Sequence, residues 1–147
     1  DAVEKLEEFG VRSEIWSATS YGELRRDGLE VDRWNRLNPD KEPKQTWTQT
    51  QLGNSKTPII AVSDNMAAVP DMVRKWMPDN FEVLGTDGFG RSDTREALRR
   101  FFEIDGAAVA LAALSSLVRK GEIEASVYQK AVKKFGVSSE RTDITEL

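Results

Sequence analysis

A glycine-rich turn between a short strand and a capped helix is the feature that most constrains the fold of this chain. Three of the four residues at 81–84 are apolar, and Gly85, Gly88 and Gly90 follow within six positions. Asp93 and Glu96 then form a capping box that predicts the start of a helix. A strand, a tight turn and a helix in this order are typical of a parallel α/β sheet.

The rest of the chain repeats this alternation of strands and helices. The continuous apolar run at 58–62 predicts a strand buried on both faces, and the alternating polarity of 13–19 predicts another. Apolar periodicity and capping signals predict helices at 2–9, 21–26, 29–37, 64–76, 94–102, 106–121 and 122–135. In the helix at 64–76, Pro70 is expected to mark a break or the start of a second part. Residues 38–44 read as a loop, and 46–52 fit either a short strand or a helical turn.

The predicted fold is therefore α/β, with a mostly parallel sheet and helices on both faces in three layers. The 147 residues are enough for one core, so we expect a single domain over 1–147. Its helix at 106–121 is rich in Ala, Val and Leu, which predicts a core helix. The polar residues 138–147 are expected to form a tail.

Composition argues against several classes of function. The net charge is −4, with 21 Lys and Arg against 25 Asp and Glu, so no basic stripe points to nucleic acid. The chain has no Cys, which excludes a disulfide framework and suits a reducing cytoplasm. It has no His, which closes Ser-His and Cys-His catalysis to this chain acting alone. No continuous apolar run reaches the roughly 18 residues of a membrane span.

The glycine turn could be taken for a phosphate-binding loop, but its spacing argues against that. Residues 85–90 read GTDGFG, which is neither the dinucleotide fingerprint nor a Walker loop. The nearby charges Asp87, Arg91, Asp93 and Arg95 could form an acid–base cluster, but two arginines would keep both carboxylates ionised. We therefore predict a structural network, and no catalytic, cofactor-binding or metal-ligating residue. The candidate loop and interface residues are Gly85, Asp87, Gly88, Phe89, Gly90, Arg91, Asp93 and Arg95.

Four stretches together resemble one enzyme family over nearly the whole chain. They are LGTDGFGRSDTREALRRFFEID (84–105), WSATSYGELRRDG (16–28), DRWNRLNP (32–39) and IIAVSDNMAAVPDMVRKWMP (59–78). In order and spacing they resemble the carboxyl-terminal segment of the homodimeric pyruvate dehydrogenase first component. That family belongs to the transketolase-like enzymes, which use thiamine diphosphate.

The resemblance implies a fold and a role. The family's domain is a five-stranded sheet with one antiparallel strand, and its opening strand is missing here, so we expect a fragment of a longer polypeptide. The parent would oxidatively decarboxylate pyruvate and transfer the acetyl group to a lipoyl carrier. This segment would be its structural and dimerisation domain, with no chemistry of its own. The implied partners are the other domains, the second subunit of a homodimer and the dihydrolipoyl acyltransferase complex.

The resemblance also places the cofactors elsewhere. Thiamine diphosphate and Mg²⁺ would be bound by an earlier domain of the whole enzyme. Thr86-Asp87-Gly88 only approaches the family's metal-binding Gly-Asp-Gly, and no Asn follows Asn80 to serve as the downstream ligand. Arg100 and Phe101 stand where the family often has two His, so no imidazole role carries over.

A second interpretation stays open. The chain could be a non-catalytic interaction module that binds an acyltransferase core or a regulatory partner. Most of its four tryptophans are expected to pack in the core, and Trp34 and Trp47, which lie near loops, are the candidates for interface contacts.

Overall fold

The computed structural model describes residues 1–138 and residue 140, so most of the predicted tail at 138–147 lies outside the described residues. Two strands are present in this part, β1 (Ile59–Val62) and β2 (Phe81–Leu84). The helices are α1 (Ala2–Glu7), α2 (Tyr21–Leu37), α3 (Trp47–Leu52), α4 (Ala68–Asp71), α5 (Arg95–Phe101), α6 (Gly106–Arg119) and α7 (Ala125–Phe135). A single 3₁₀ turn covers Arg74–Trp76.

The two strands pair in parallel and carry helices on both faces. Ile59 is opposite Phe81 and Val62 is opposite Leu84. Since side chains alternate along a strand, Phe81 faces the layer of α2 while Glu82 faces the opposite side. There Glu82 accepts a hydrogen bond of 2.7 Å from Arg119 of α6. This arrangement confirms the α/β class with helices on both sides of a parallel sheet.

Each face of the sheet has its own apolar core. On one side α1, α6 and α7 bury the side chains of Leu6, Ala110, Leu111, Leu114 and Ala131. On the other side the core consists of Val73, Trp76 and Phe81, with Tyr21 and Leu24 of α2 packed against them. The prediction of a core helix after Asp105 is confirmed, because α6 supplies the largest share of the first core.

The prediction of two helices at 21–26 and 29–37 is wrong in one respect, because α2 continues without a break. Its start is as expected, since the Ser20 hydroxyl accepts the Glu23 N–H at 3.2 Å. Gly28, which reads as a stop signal, is buried in the middle of the helix. A Cβ at this position would lie 2.5 Å from the indole of Trp76. The glycine permits close packing, and the gain in packing outweighs its low helix propensity.

The predicted strand at 13–19 is also wrong for the described residues. The segment forms no strand, and the side chains of Ile15 and Trp16 are 79% and 49% exposed. A groove separates it from β1, so among residues 1–138 and 140 its backbone has no neighbouring strand with which to form a ladder. Alternating polarity alone could not reveal that the neighbour is absent.

The segment at 46–52 is resolved in favour of a helix. The Thr46 side chain accepts the N–H of Gln49, and the Gln49 side chain accepts the N–H of Thr46, which is a complete capping box at the start of α3. The helix predicted at 64–76, with Pro70 marking a break or the start of its second part, is shorter than expected. It consists of the single-turn α4 and the 3₁₀ turn, and Pro70 lies within α4.

The segment 95–119 is long and apolar enough to cross a membrane by length and composition alone. It is nevertheless two helices. Glu103 has a φ of 56°, and the Asp105 carboxylate caps α6 by accepting the Ala108 N–H at 2.8 Å. The 14 residues of α6 span roughly 21 Å, less than the roughly 30 Å of a bilayer core. Leu111 and Leu114 of α6 are buried against protein.

Candidate functional site: the glycine loop and its surroundings

The glycine loop connects β2 to α5 and lies at the carboxyl end of the parallel strands. The helix begins one residue later than predicted, because Thr94 is its N-cap and accepts the Ala97 N–H at 3.2 Å. Asp93 accepts the N–H of Thr94 at 2.7 Å. Asp93 therefore supports the turn before the helix, and the predicted capping box of Asp93 and Glu96 is not the one that forms.

Three hydrogen bonds attach the start of the loop to the segment that follows β1. Thr86 donates its N–H to the carbonyl of Asn65 at 2.9 Å and its hydroxyl to the carbonyl of Asp64 at 3.0 Å. The N–H of Ala67 donates to the carboxylate of Asp87 at 3.1 Å. Two loops at the same edge of the sheet thus form one unit. The main role of Asp87 in this structure is to hold them together.

Gly85 is required by this attachment. A Cβ at position 85 would lie 2.3 Å from the Ala67 nitrogen and 2.8 Å from the Asn65 carbonyl oxygen. Gly88 has a φ of 122°, a conformation that suits glycine. Gly90 is different, since its Cβ would meet open space. Gly85 therefore serves close backbone packing and Gly88 serves the turn geometry of the loop.

The predicted network of Asp87, Arg91, Asp93 and Arg95 does not form as a single cluster. The Arg91 guanidinium lies over the ring of Phe101, 4.3 Å from its centroid. Asp87 and Asp93 instead accept backbone N–H groups. Among the ion pairs of the described residues, none joins the two aspartates to the two arginines.

The residues of this loop do not fit the metal of a thiamine diphosphate site. Asp87 already accepts the N–H of Ala67. Within the described part of the chain, no group of three or more Asp, Glu, His or Cys side chains comes together to hold a metal ion.

The loop and the segment at the end of β1 carry three exposed apolar side chains. Phe89 is 68% exposed, and Val62, the last residue of β1, and Met66, in the segment that follows β1, are also exposed. We call these three side chains the carboxyl-edge patch. A large aromatic ring held on a loop fixed by three hydrogen bonds is suited to contact with another protein surface. Phe89 was a candidate from sequence, whereas Met66 and Val62 were not.

A second exposed aromatic group lies near α3. The rings of Trp16 and Trp47 meet edge to face at 6.5 Å, and each is about half exposed. The backbone N–H of Trp47 donates to the carboxylate of Asp27 at 2.7 Å, which fixes the start of α3 on α2. Trp34 instead contacts Lys41 and Lys44 at its ring face. Sequence reasoning favoured Trp34 and Trp47 as surface contacts and missed Trp16.

The parallel sheet, the flanking helices and the fixed loop at its carboxyl edge define an α/β domain of a known class. Residues 1–105 match the family model described as the transketolase-like TK C-terminal domain. The chain therefore belongs to the transketolase C-terminal-like domain family.

Within that family the chain is similar to proteins named pyruvate dehydrogenase E1 component. It is 47% identical to that of Pseudomonas aeruginosa over 135 residues, which are 91% of this chain and 15% of the relative. It is 42% identical to that of Mycolicibacterium smegmatis over 130 residues, which are 88% of this chain and 14% of the relative. The chain is 40% identical to that of Escherichia coli K12 over 137 residues, which are 92% of this chain and 15% of the relative. The resemblance found in the sequence is confirmed.

Proposed function

We propose that this chain is the carboxyl-terminal structural and dimerisation domain of a pyruvate dehydrogenase first component. The parent enzyme oxidatively decarboxylates pyruvate and transfers the acetyl group to the lipoyl group of a dihydrolipoyl acyltransferase complex. The proposal is supported by the relatives, which are all named pyruvate dehydrogenase E1 component. This chain spans about one seventh of the length of those relatives. We place the whole enzyme in the cytoplasm.

The observation that carries the structural role is the carboxyl-edge patch on its fixed loop. Phe89 projects from a loop that Thr86 and Asp87 tie to the segment after β1. Exposed apolar side chains on a fixed backbone lose little conformational entropy when a partner covers them. We propose that the patch contacts a neighbouring domain of the same polypeptide or the second subunit of the homodimer.

In this proposal the chemistry belongs to other parts of the enzyme. Thiamine diphosphate with Mg²⁺ supplies the electron sink for decarboxylation when it is bound in an earlier domain. The residues of this chain support the position of the domains around that site. The isolated chain is predicted to be inactive.

The test uses the full-length enzyme with Phe89→Ser. Loss of the central aromatic contact is expected to raise the dimer dissociation constant by about 10-fold or more, measured by analytical ultracentrifugation, or to lower the melting temperature. Leu37→Ser, at another exposed apolar position on α2, is the matched control and should change neither quantity. If Phe89→Ser behaves like Leu37→Ser in both measurements, the patch is not an interface.

The second candidate function is a separate non-catalytic module that binds an acyltransferase core or a regulatory partner. The exposed pair of Trp16 and Trp47 favours such a binding role, because aromatic side chains are common anchors in interfaces. Mass measurement and gel filtration of the native protein distinguish the two. A dimer of a far longer polypeptide supports the enzyme domain, and a free chain of this size supports the module.

A further inference from the structure

Aspartate is followed by glycine at three places in this chain, Asp27-Gly28, Asp87-Gly88 and Asp105-Gly106. Glycine has no Cβ, so no side chain shields its backbone nitrogen from the carboxyl group of the preceding aspartate. Where the local backbone is free to turn, that nitrogen attacks the carboxyl carbon and a succinimide ring forms. The fold therefore decides which of the three pairs can react.

The first pair is closed to this reaction by helix α2. Gly28 lies in the middle of the helix, where its N–H belongs to the helical ladder. It is buried, and a Cβ there would lie 2.5 Å from the indole of Trp76. The Asp27 carboxylate is held toward α3 by the backbone N–H of Trp47 at 2.7 Å. Ring closure at this pair would require α2 to open against the core.

The third pair is confined at the start of α6. The Asp105 carboxylate accepts the Ala108 N–H at 2.8 Å. Gly106 is packed against the start of α1, since a Cβ there would lie 2.1 Å from a carboxylate oxygen of Asp1 and 2.9 Å from the Ala2 nitrogen. Because α6 supplies much of one apolar core, the backbone at this pair cannot turn without a loss of packing.

The second pair lies in the glycine loop, outside the helices and strands of the described residues. Asp87 and Gly88 are both exposed, and Gly88 has a φ of 122°. Among the described residues, the backbone N–H groups of Gly88 and Gly90 have no acceptor. The attachment of the loop ends at Asp87, which accepts the Ala67 N–H at 3.1 Å. That hydrogen bond must break before the carboxyl group can turn toward the Gly88 nitrogen.

We propose that Asp87 is a site of spontaneous aspartate isomerisation, and that its hydrogen bond from Ala67 sets the rate. The Gly88 nitrogen forms a bond to the carboxyl carbon of Asp87, while the bond from that carbon to its hydroxyl oxygen breaks. The proton of the Gly88 N–H and the hydroxyl group leave together as one water molecule. No electrons are gained or lost, so the step needs no oxidant, reductant or co-substrate.

Water then opens the ring at one of its two carbonyl groups. Addition at the former side-chain carbonyl restores aspartate, whereas addition at the former main-chain carbonyl gives isoaspartate, in which the backbone runs through the old side chain. The backbone before Gly88 becomes one methylene longer, and the carboxylate moves away from Ala67. The attachment of the loop then rests on the two hydrogen bonds of Thr86, and Phe89 is displaced with the lengthened backbone.

The test is incubation of the full-length protein at neutral pH and physiological temperature in water enriched in ¹⁸O. Each ring opening adds one labelled oxygen, and electron-transfer fragmentation of the tryptic peptide 76–91 distinguishes isoaspartate from aspartate. Isoaspartate at position 87 is expected to exceed that at positions 27 and 105 by at least about 10-fold, because those two pairs need a larger local opening. Equal amounts at the three positions, or none at position 87, would overturn the proposal.

Two glycine variants of the full-length protein test the part played by Ala67. Gly85→Ala places a Cβ 2.3 Å from the Ala67 nitrogen and separates the two loops. Isoaspartate should then form at position 87 at least about 3-fold faster than in the wild type. Gly90→Ala, whose Cβ meets open space, is the matched control and should leave the rate unchanged. Equal rates in the two variants would show that the hydrogen bond from Ala67 does not set the rate, and would overturn that half of the proposal.

Asp87→Glu assigns the reaction to its residue. The longer side chain of glutamate closes its ring far more slowly, so the ¹⁸O label in the peptide 76–91 should disappear. The other aspartate of this peptide is Asp79, which is followed by Asn80. Label that persists in Asp87→Glu would place the reaction at Asp79 and overturn the assignment to Asp87.

Discussion

Gly28 lies directly beneath the indole of Trp76, so that a Cβ at position 28 would fall 2.5 Å from the ring atoms Cδ2 and Cε2. The same indole donates its N–H to Asp32, one turn further along α2, at 3.2 Å. One face of a single tryptophan thus touches the backbone of α2 while its edge bonds to a side chain of that helix. This contact holds α2 against the sheet.

Gly28→Ala is expected to destabilise the protein by about 1–3 kcal/mol, because the added methyl group must displace Trp76 from a filled core. The improved helix propensity of alanine offsets part of this loss. Urea unfolding followed by tryptophan fluorescence measures the change. At an exposed position in the middle of a helix, Gly→Ala ordinarily increases the free energy of unfolding. A decrease at position 28 would therefore show that the contact with Trp76 decides the result.

Gly22 is the matched control in the same helix. The nearest atom to a Cβ there is the Ser20 hydroxyl at 3.7 Å, an ordinary contact. Gly22→Ala should therefore raise the free energy of unfolding by up to about 1 kcal/mol. If both variants raise the free energy of unfolding, the contact between Gly28 and Trp76 leaves room for a methyl group and position 28 does not need a glycine.

Asp32 gives a prediction about pH. Its hydrogen bond from Lys75, 2.5 Å long, lowers the pKa of the carboxyl below 3.8, and the Trp76 N–H adds to the effect against the opposing desolvation. A lowered pKa in the folded state means that the contribution to stability is present above pH 3.8 and is lost as the pH falls through the folded-state pKa.

Asp32→Asn should therefore cost about 1 kcal/mol in urea unfolding at pH 7, where the charged hydrogen bonds are lost. As the pH falls from 3.8 through the lower folded-state pKa of Asp32, the wild-type carboxyl becomes protonated and the difference in the free energy of unfolding between the two proteins should shrink. Asp40→Asn, in the exposed loop after α2, is the control and should leave the dependence of the free energy of unfolding on pH unchanged. A gap that stays constant from pH 7 to pH 3 would contradict the assignment.

The glycine loop gives a third prediction. Gly85→Ala places a Cβ against the Ala67 backbone at 2.3 Å, so the two attached loops must separate. The expected loss is about 1–3 kcal/mol, together with faster exchange of the Thr86 and Ala67 amide hydrogens. Gly90→Ala, whose Cβ meets open space, should leave both quantities nearly unchanged. Equal effects of the two substitutions would show that the attachment to Ala67 does not need a glycine.

The sequence predicted those parts of the fold that depend on local signals. The cap at Ser20, the apolar strands and the core helix after Asp105 each depend on residues close together in the chain, and each is present. The errors came where a distant residue decides the outcome. Gly28 signals a helix end until Trp76 is brought against it. Residues 13–19 alternate in polarity like a strand, although no strand in the described part of the chain pairs with them.

The same reasoning explains what was found of the candidate site. The loop glycines and Phe89 could be named because turn residues and an aromatic in a polar context are visible in the sequence. The partners of Asp87 and Arg91 could not. Ala67 is 20 positions from Asp87 and donates through its backbone N–H. Every residue except proline has such a group, so the sequence does not show which one Asp87 will bind. The ring of Phe101 reads from sequence as part of a buried stripe, yet it also receives the Arg91 guanidinium.

Thr46 supports a last prediction, because its hydroxyl is buried and has two partners. It accepts the N–H of Gln49 at 3.1 Å at the start of α3 and lies 2.9 Å from the hydroxyl of Thr48, which is also buried. Thr46→Ala removes the helix cap and leaves the Thr48 hydroxyl with one partner fewer, so it should cost about 2 kcal/mol in urea unfolding. Thr46→Ser keeps the hydroxyl and loses only a methyl group, at a cost of about 1 kcal/mol or less. Equal losses in the two variants would mean that the methyl group, and not the hydroxyl, is what position 46 contributes.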